Sequence, residues 1–295
     1  MAFKIITDSA SDLPQWIIDK YDTLVIPTPV VINGVDHRDR KDIFPKEFYN
    51  ILRSGTDVKT YHINAAMFYD AFEPYAQAGD EVLYICFSTS IAGTFGAANM
   101  AKEDLLEKYP DFKITIIDSK CASMGFGLTV YKLLRMQANG APKELIIEAA
   151  RFFCEHTEHS VTVETLEYLL KGGRISKTSA TVGGLLGIKP IIIVDEKGSL
   201  VSAEKVRGRK ASIDRIIKRT GEVGGEHLDR QILAVVHGDC PEVAEEIKQR
   251  LLDTYHCREV VIGEIGCAIG AHTGPGIVAV VCNTAIDERF EAYLK

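Results

Sequence analysis

Through its first half this chain alternates strand-length apolar runs with helix-length amphipathic stretches, which limits its possible folds more than any other feature. Residues 3–7 read as a strand, and Ser11-Asp-Leu-Pro14 as the cap of a helix through about Tyr21, with proline in its first turn. Residues 23–33 are rich in β formers and end at the turn Asn33-Gly34. A polar segment follows, then a helix near 45–53, and residues 59–64 lead into an amphipathic helix through Ala78. Residues 81–87 read as a strand, 93–108 as a helix, 113–117 as a strand, and about 123–139 and 142–156 as helices. Strands bridged by helices of this length predict an α/β fold, a parallel sheet with helices on both faces.

The second half reads differently. A strand (160–164) and a helix (165–171) end at Gly172-Gly173, and 182–188 reads as helical. Residues 190–194 and 200–206 form a hairpin around a turn at Lys197-Gly198. A helix (210–220), a strand (231–237), a helix (241–255) and closing strands follow. This predicts an α+β domain, so the 295 residues divide into 1–159 and 160–295, each long enough for its own core.

The apolar run from Glu264 to Val281 breaks at His272-Thr273-Gly274-Pro275-Gly276. A strand-like run interrupted this way needs a sharp turn that something approaches closely. The glycines permit positive φ, Pro275 stiffens the turn, and His272 and Thr273 put polar groups at its mouth. A tight turn around a satisfied histidine accounts for the same residues.

The formal net charge of −7 argues against nucleic acid or an anionic membrane surface as main partner, although Lys205-Val-Arg-Gly-Arg-Lys210 is a local basic cluster. The seven cysteines are odd in number and none forms a C-x-x-C pair, so they read as reduced core residues. The N-terminus reads as a strand rather than a signal peptide, and no apolar run is long enough to span a bilayer. A cytoplasmic protein with no stable membrane insertion is expected.

Several standard catalytic motifs are missing: the phosphate-binding loop, the G-x-S-x-G elbow and H-E-x-x-H. Cys121 stands where an elbow around Ser123 would need glycine, and Gly125-x-Gly127 lacks the third glycine of a dinucleotide fingerprint. His156-Thr-Glu-His159 has no further metal ligands nearby and reads as a solvated helix end. No cofactor or metal is expected. Thr7-Asp8-Ser9-Ala10-Ser11-Asp12 follows the first strand, at the sheet end where open α/β sheets bind ligands. Helix capping explains Ser11 and Asp12 better than Asp8 and Ser9. Ser88-Thr-Ser-Ile-Ala-Gly-Thr94 follows another strand and opens a helix, placing hydroxyls and N–H groups where one carboxylate or phosphate would be favoured. It has no lysine and too few glycines for a polyphosphate.

Taken in order, these segments resemble the DegV family, fatty-acid-binding proteins that serve bacterial fatty acid kinase. The residues from Thr7 to Pro14 match its opening T-D-S-x-x-D-L-P, those from Ser88 to Thr94 resemble S-S-x-L-S-G-T, and Asp118-Ser119 with Ala122-Ser123-Met124-Gly125 resemble D-S…A-S-x-G. Tyr168 to Ser176 is close to Y-L-x-K-G-G-R-I-S, and Gly184 to Pro190, followed by Lys205-Val-Arg-Gly208, is similar to the L-L-N-I-K-P region. His272 to Gly276 matches the closing motif. The resemblance covers essentially the whole chain.

It implies a non-catalytic lipid-binding protein that buries a long-chain fatty acid (palmitate, stearate or oleate class) at or near the domain junction. The carboxylate would be presented to a separate ATP-dependent kinase, which makes an acyl phosphate. The implied ligand-binding residues are Thr60, His62, Ser88, Ala92, Gly93, Thr94, Arg174, His272 and Thr273. Arg174 would support the head group and Arg207 would contact the kinase, surface ion pairs being the alternative for both arginines. Phe87, Ile91, Phe95, Phe126, Leu185 and Leu186 are candidates for the channel wall or for plain core. In two places the chain departs from the family pattern: Thr60-Tyr61-His62-Ile63-Asn64 replaces T-S-Q-P-S, and Ala92 replaces the serine of L-S-G-T. A charge-assisted bond from His62, a different head group or a water-bridged contact would each accommodate the missing hydroxyl. Burying a CH₂ contributes roughly 0.8 kcal/mol, so a long chain offers on the order of 10 kcal/mol before association costs. A small hydrolase or phosphotransferase using Asp8, Ser9 and His272 is the rival reading, and a regulatory protein without a ligand is a third.

Overall fold

Two β-sheets face each other across one buried helix, in a computed structural model that describes residues 2–175 and 187–295. Strand β1 (Phe3–Asp8) passes through a 3₁₀ turn (Ser9–Ser11) to α1 (Gln15–Tyr21) and then β2 (Val25–Ile26). After the hairpin β3 (Pro29–Ile32) and β4 (Val35–Arg38) come α2 (Pro45–Arg53), β5 (Val58–Thr60) and α3 (Ala65–Ala78). Next are β6 (Glu81–Cys86), α4 (Thr94–Lys108), β7 (Ile114–Asp118), α5 (Met124–Ala138) and α6 (Lys143–Glu155). Strands β2-β1-β6-β7 form the expected parallel sheet, and β4-β3-β5 a small antiparallel one.

The second sheet is six-stranded and mixed, in the order β10-β9-β8-β13-β11-β12. It is built from β8 (Thr157–Thr162), β9 (Ile188–Val194), β10 (Leu200–Arg207), β11 (Ile232–His237), β12 (Glu259–Glu264) and β13 (Val278–Asn283). The short α7 (Glu167–Lys171) follows β8, α8 (Arg209–Gly224) and α9 (Pro241–Tyr255) cover the outer face, a 3₁₀ turn (Gly225–Arg230) leads from α8 to β11, and α10 (Cys267–Thr273) and α11 (Glu288–Glu291) complete the described elements. Every residue of β11 and β13 is buried, because both faces of these strands are covered.

Helix α5 is buried almost all round, as a helix with apolar residues on every side must be. One side packs on β1 and β6, the other on β8, β11 and β13, so a single core runs through both sheets.

Four local expectations need correction. The polar segment after Asn33-Gly34 contains β4, an exposed edge strand whose polar residues hide its pairing with β3. Ser11 and Asp12 do not cap α1, whose N-cap is Pro14. Asp12 instead turns inward in the left-handed conformation. Gly187 is a turn residue and Ile188 opens β9 rather than closing a helix, while residues 182–186 of that predicted helix, with Leu185 and Leu186, lie outside the described residues.

The run before Gly274 is the helix α10, not a strand. Its first N–H groups meet distant carboxylates: Gly266 N donates to Asp12 at 2.7 Å, Cys267 N to Asp39 at 2.9 Å and Ala268 N to Asp39 at 3.4 Å. Two acids more than two hundred residues away therefore satisfy the helix start, a partnership no local pattern displays. The expected turn follows, with Gly274 at φ 72° and Gly276 at φ 80°.

Candidate functional site

Between the carboxyl ends of the parallel sheet and the inner face of the six-stranded sheet lies a cavity. The free space between protein atoms there, counted out into the open solvent at its mouth, is about 1030 Å³. Its floor follows from strand periodicity. On β8 and just beyond it, His159, Val161 and Val163 recur every second residue and face inward. Register sets Val161 beside Ala279 of β13 and Ile192 of β9, and His159 beside Val281. Phe87, Ile91 and Ile269 close other sides. The wall is thus mostly aliphatic, contributed by strands that are distant in sequence.

The mouth is polar and drawn from four segments. Thr60 ends β5, with exposed Tyr61 and His62 following it, and Ala92 and Thr94 sit at the start of α4. Arg174 follows α7, and His272 lies in the last turn of α10. Thr60 Oγ1 and His272 Nε2 are 2.6 Å apart. Arg174 Nη1 donates to the Gly172 carbonyl at 2.5 Å, and the His272 ring rests on the same residue so closely that a Cβ on Gly172 would overlap its Nδ1. Burial and, secondarily, the Arg174 charge push the His272 pKa down to about 4, so the imidazole is neutral at pH 7. In the tautomer that carries its proton on Nε2 the ring donates to Thr60 Oγ1, which leaves the Thr60 hydroxyl proton for a ligand; in the other tautomer Thr60 donates to Nε2. Arg174, half-buried, holds a positive charge beside it. Together they suit one carboxylate.

Of the residues expected here, Thr60, His62, Ala92, Thr94, Arg174, His272 and Thr273 all line the cavity. Ser88 and Gly93 are placed otherwise. The buried Ser88 hydroxyl donates to the Gly198 carbonyl at 2.8 Å, pinning the β9–β10 hairpin to the first sheet. Gly93 serves as a floor for the His62 ring, 3.4 Å from a Cβ placed there. Thr273 donates its hydroxyl to Ile269 O in its own helix, at 3.2 Å, and so offers a ligand only lone pairs. Arg207 ends β10, exposed. Phe95 and Phe126 belong to the packed core rather than the wall, Phe126 against the Phe87 ring.

Asp8, Ser9 and His272 do not assemble into a nucleophile–base array. Ser9 donates to Asp39 at 3.1 Å, Asp8 accepts from Tyr84 at 2.6 Å and from Ala10 N at 3.0 Å, and His272 faces Thr60. Burial raises the Asp8 pKa to about 6 and that of Asp12 to about 7, against the pull of Arg40 on Asp12. Asp12 accepts from Ser123, whose backbone sits at φ 54°, ψ −141° on the cavity wall. Sequence reasoning missed Ser123 and His159 as wall residues. His159 is buried in β8, not solvated at a helix end, and the alternation His159-x-Val161-x-Val163 was the available signal. Among the described residues no group of His, Cys, Asp and Glu could hold a metal ion, and no helix is long and apolar enough to cross a membrane.

The sequence profile of the family described as "Uncharacterised protein, DegV family" matches residues 2–284. A DegV domain-containing protein of Clostridium perfringens is 36% identical over 280 residues, covering 94% of this chain and 96% of that protein. A stearic-acid-binding protein from Eubacterium ventriosum shares the fold with a TM-score of 0.89 at 26% identity, over 98% of this chain and 99% of that one. A fatty-acid-binding DegV family protein from Thermus thermophilus matches with a TM-score of 0.87 at 26% identity, over 97% of this chain and 100% of that one.

Proposed function

This chain belongs to the DegV family, and we propose that it binds one long-chain fatty acid of the palmitate, stearate or oleate class between its two sheets. It then presents the carboxylate to a separate cytoplasmic kinase. The observation that carries this reading is the conjunction of an aliphatic cavity with one polar mouth, where Thr60, Arg174 and His272 converge. Structures of relatives that bind fatty acids support it.

The acyl chain supplies affinity and the mouth supplies orientation. Each buried methylene contributes roughly 0.8 kcal/mol, whereas a buried carboxylate without partners would cancel much of the gain. The Thr60 hydroxyl, polarised by neutral His272, donates to one carboxylate oxygen while Arg174 balances the charge. The other oxygen is left toward solvent, where it attacks the γ-phosphorus of ATP held by the kinase. A carboxyl–phosphate bond forms, the bond to the β-phosphate oxygen breaks, and ADP leaves. In this scheme the chain positions the nucleophile and transfers no proton. Arg207, exposed at the end of β10, is its proposed contact with the kinase.

The test begins with mass spectrometry of lipid released by denaturing protein purified from a bacterial host. Fatty acid at about one per chain is expected. Lipid-free preparations that also fail to take up stearate or oleate would overturn the proposal. Thr60→Val, which keeps shape and removes the donor, should leave lipid uptake within a fewfold of wild type and cut acyl-phosphate formation far more. Equal loss of both would show that the mouth does not orient the head group.

A further inference from the structure

Sheet register gives the cavity a direction. Gly276 packs on Glu164, just beyond β8, and Gly172 packs on His272, each so closely that a Cβ on the glycine would overlap its neighbour. The carboxyl end of β8 therefore lies beside the mouth. From Val163 the cavity-facing residues step back along β8 and β13 in pairs, Val161 with Ala279 and then His159 with Val281. From Val163 to His159 the chain covers about 13 Å, at roughly 3.3 Å per residue. This path is aliphatic up to its last pair. Near the start of α10 the wall instead carries Asp8 and Thr28, so a methyl terminus there would lie against a buried carboxyl group.

The next pair in the same register is Thr157 with Asn283, and a hydrogen-bonded cluster fills its place. Asn283 Nδ2 donates to Thr157 Oγ1 at 3.1 Å and to the Phe153 carbonyl at 3.3 Å, and Thr157 donates to that carbonyl at 2.7 Å. Lys132, 3% exposed, donates from Nζ to Asn283 Oδ1 at 2.5 Å and sits 5.0 Å from the centre of the Phe153 ring. An acyl chain pushing past this point would part a buried ammonium and a buried amide from their partners, which costs more than a buried methylene returns. The His159 ring in front of the cluster has no room to swing aside. Its Nε2 is 3.2 Å from the Ala122 carbonyl, and a Cβ on Gly125 would overlap it.

We infer that His159 and Val281, backed by the Lys132–Asn283–Thr157 cluster, form a fixed stop for the methyl end of the acyl chain, so that the protein selects fatty acids by length with a sharp upper limit. This rests on the fatty-acid-carrier reading and specifies its substrate. Below the limit each added methylene meets apolar wall. Above it the surplus carbons meet the cluster, or push the carboxylate out past Thr60 and Arg174.

Saturated acids from laurate to behenate, odd-numbered chains included, are titrated by calorimetry into delipidated protein. In wild type, affinity should climb about fourfold per methylene, ~0.8 kcal/mol, up to the palmitate–stearate range, and arachidate should bind about tenfold more weakly than the best chain. Val281→Ala, which opens the stop, should move that break about one or two carbons longer. Ala122→Val fills the same end, beside His159, and should move it to shorter chains. Val163→Ala makes the same truncation near the mouth and should leave the break in place. Thermal melts identify the variants that fold, and if neither end variant does, the wild-type series alone decides. A climb that continues through behenate, or a break that both end variants leave unmoved or that Val163→Ala moves equally, overturns the stop and leaves the carrier reading standing. Failure to bind any of the acids overturns both.

Discussion

Ala279→Phe separates an empty channel from a filled core more sharply than any change at the mouth. Ala279 is 4% exposed, lies on the cavity floor and pairs with Val161 on one side and Val236 on the other. A phenyl ring there enters the cavity and takes the room of about five methylenes, each contributing roughly 0.8 kcal/mol. The loss of lipid affinity is therefore about 4 kcal/mol, on the order of a thousandfold. The ligand-free protein should respond differently. Burying the ring contributes about 2 kcal/mol, strain costs roughly 1–3 kcal/mol, and the two nearly offset. Calorimetric titration with stearate reads the first quantity, and thermal unfolding of delipidated protein reads the second. The variant should melt within about 3 °C of wild type and gain nothing from stearate, whereas wild type at a hundred times its Kd should gain about 2.7 kcal/mol. Unchanged affinity, or a melting temperature lowered by about 10 °C, would mean that the ring met protein rather than open space.

Three further outcomes follow from the mouth and the buried acids. Arg174→Met should reduce the preference for stearate over its methyl ester about tenfold in a titration, because the charge opposite the carboxylate has gone; an unchanged ratio would remove Arg174 from the site. Gly172→Ala should displace His272 from Thr60 without deleting a polar group, lowering acyl-phosphate formation more than stearate retention; wild-type turnover would show that the 2.6 Å contact is dispensable. The third concerns Asp12, whose pKa is raised from 3.8 to about 7 mainly by burial, so its contribution to stability is present below 3.8 and lost as pH rises through about 7. Asp12→Asn removes that titration, so variant-minus-wild-type stability should climb between about pH 4 and 7, at up to ~1.4 kcal/mol per pH unit, and level off above. A flat difference in denaturant melts across that range would refute the protonation of Asp12 in the fold.

Local pattern was a good guide wherever the determining interactions are themselves local. Helix α2 spans Pro45–Arg53 and α9 spans Pro241–Tyr255, both with the bounds read from the sequence. The turn at Gly274 and Gly276 takes the positive φ that its glycines suggested. The reading failed where a distant partner decides the outcome. Cys267–Thr273 looked like part of an apolar strand, yet it is helical with its first N–H groups held by Asp12 and Asp39. Ser88 looked like a ligand hydroxyl at a helix start, yet Gly198 takes its proton. His159 looked solvated because it follows a charged helix end, whereas β13 and α5 enclose it.

The sequence by itself determined the order and type of most elements and the family, because hydrophobic period, turn chemistry and linear motifs are properties of neighbouring residues. It also carried the polar residues of the mouth, through their positions in those motifs. Tertiary structure alone decided which face of each strand would line the channel. Val161, Ile192 and Ala279 meet only through sheet register, and β13, buried on both faces, gives its inward residues no compositional mark, although β8 carries one in its alternation. The same long-range pairing sets Thr60 against His272 across 212 residues, a contact made by folding the β3–β5 sheet onto α10.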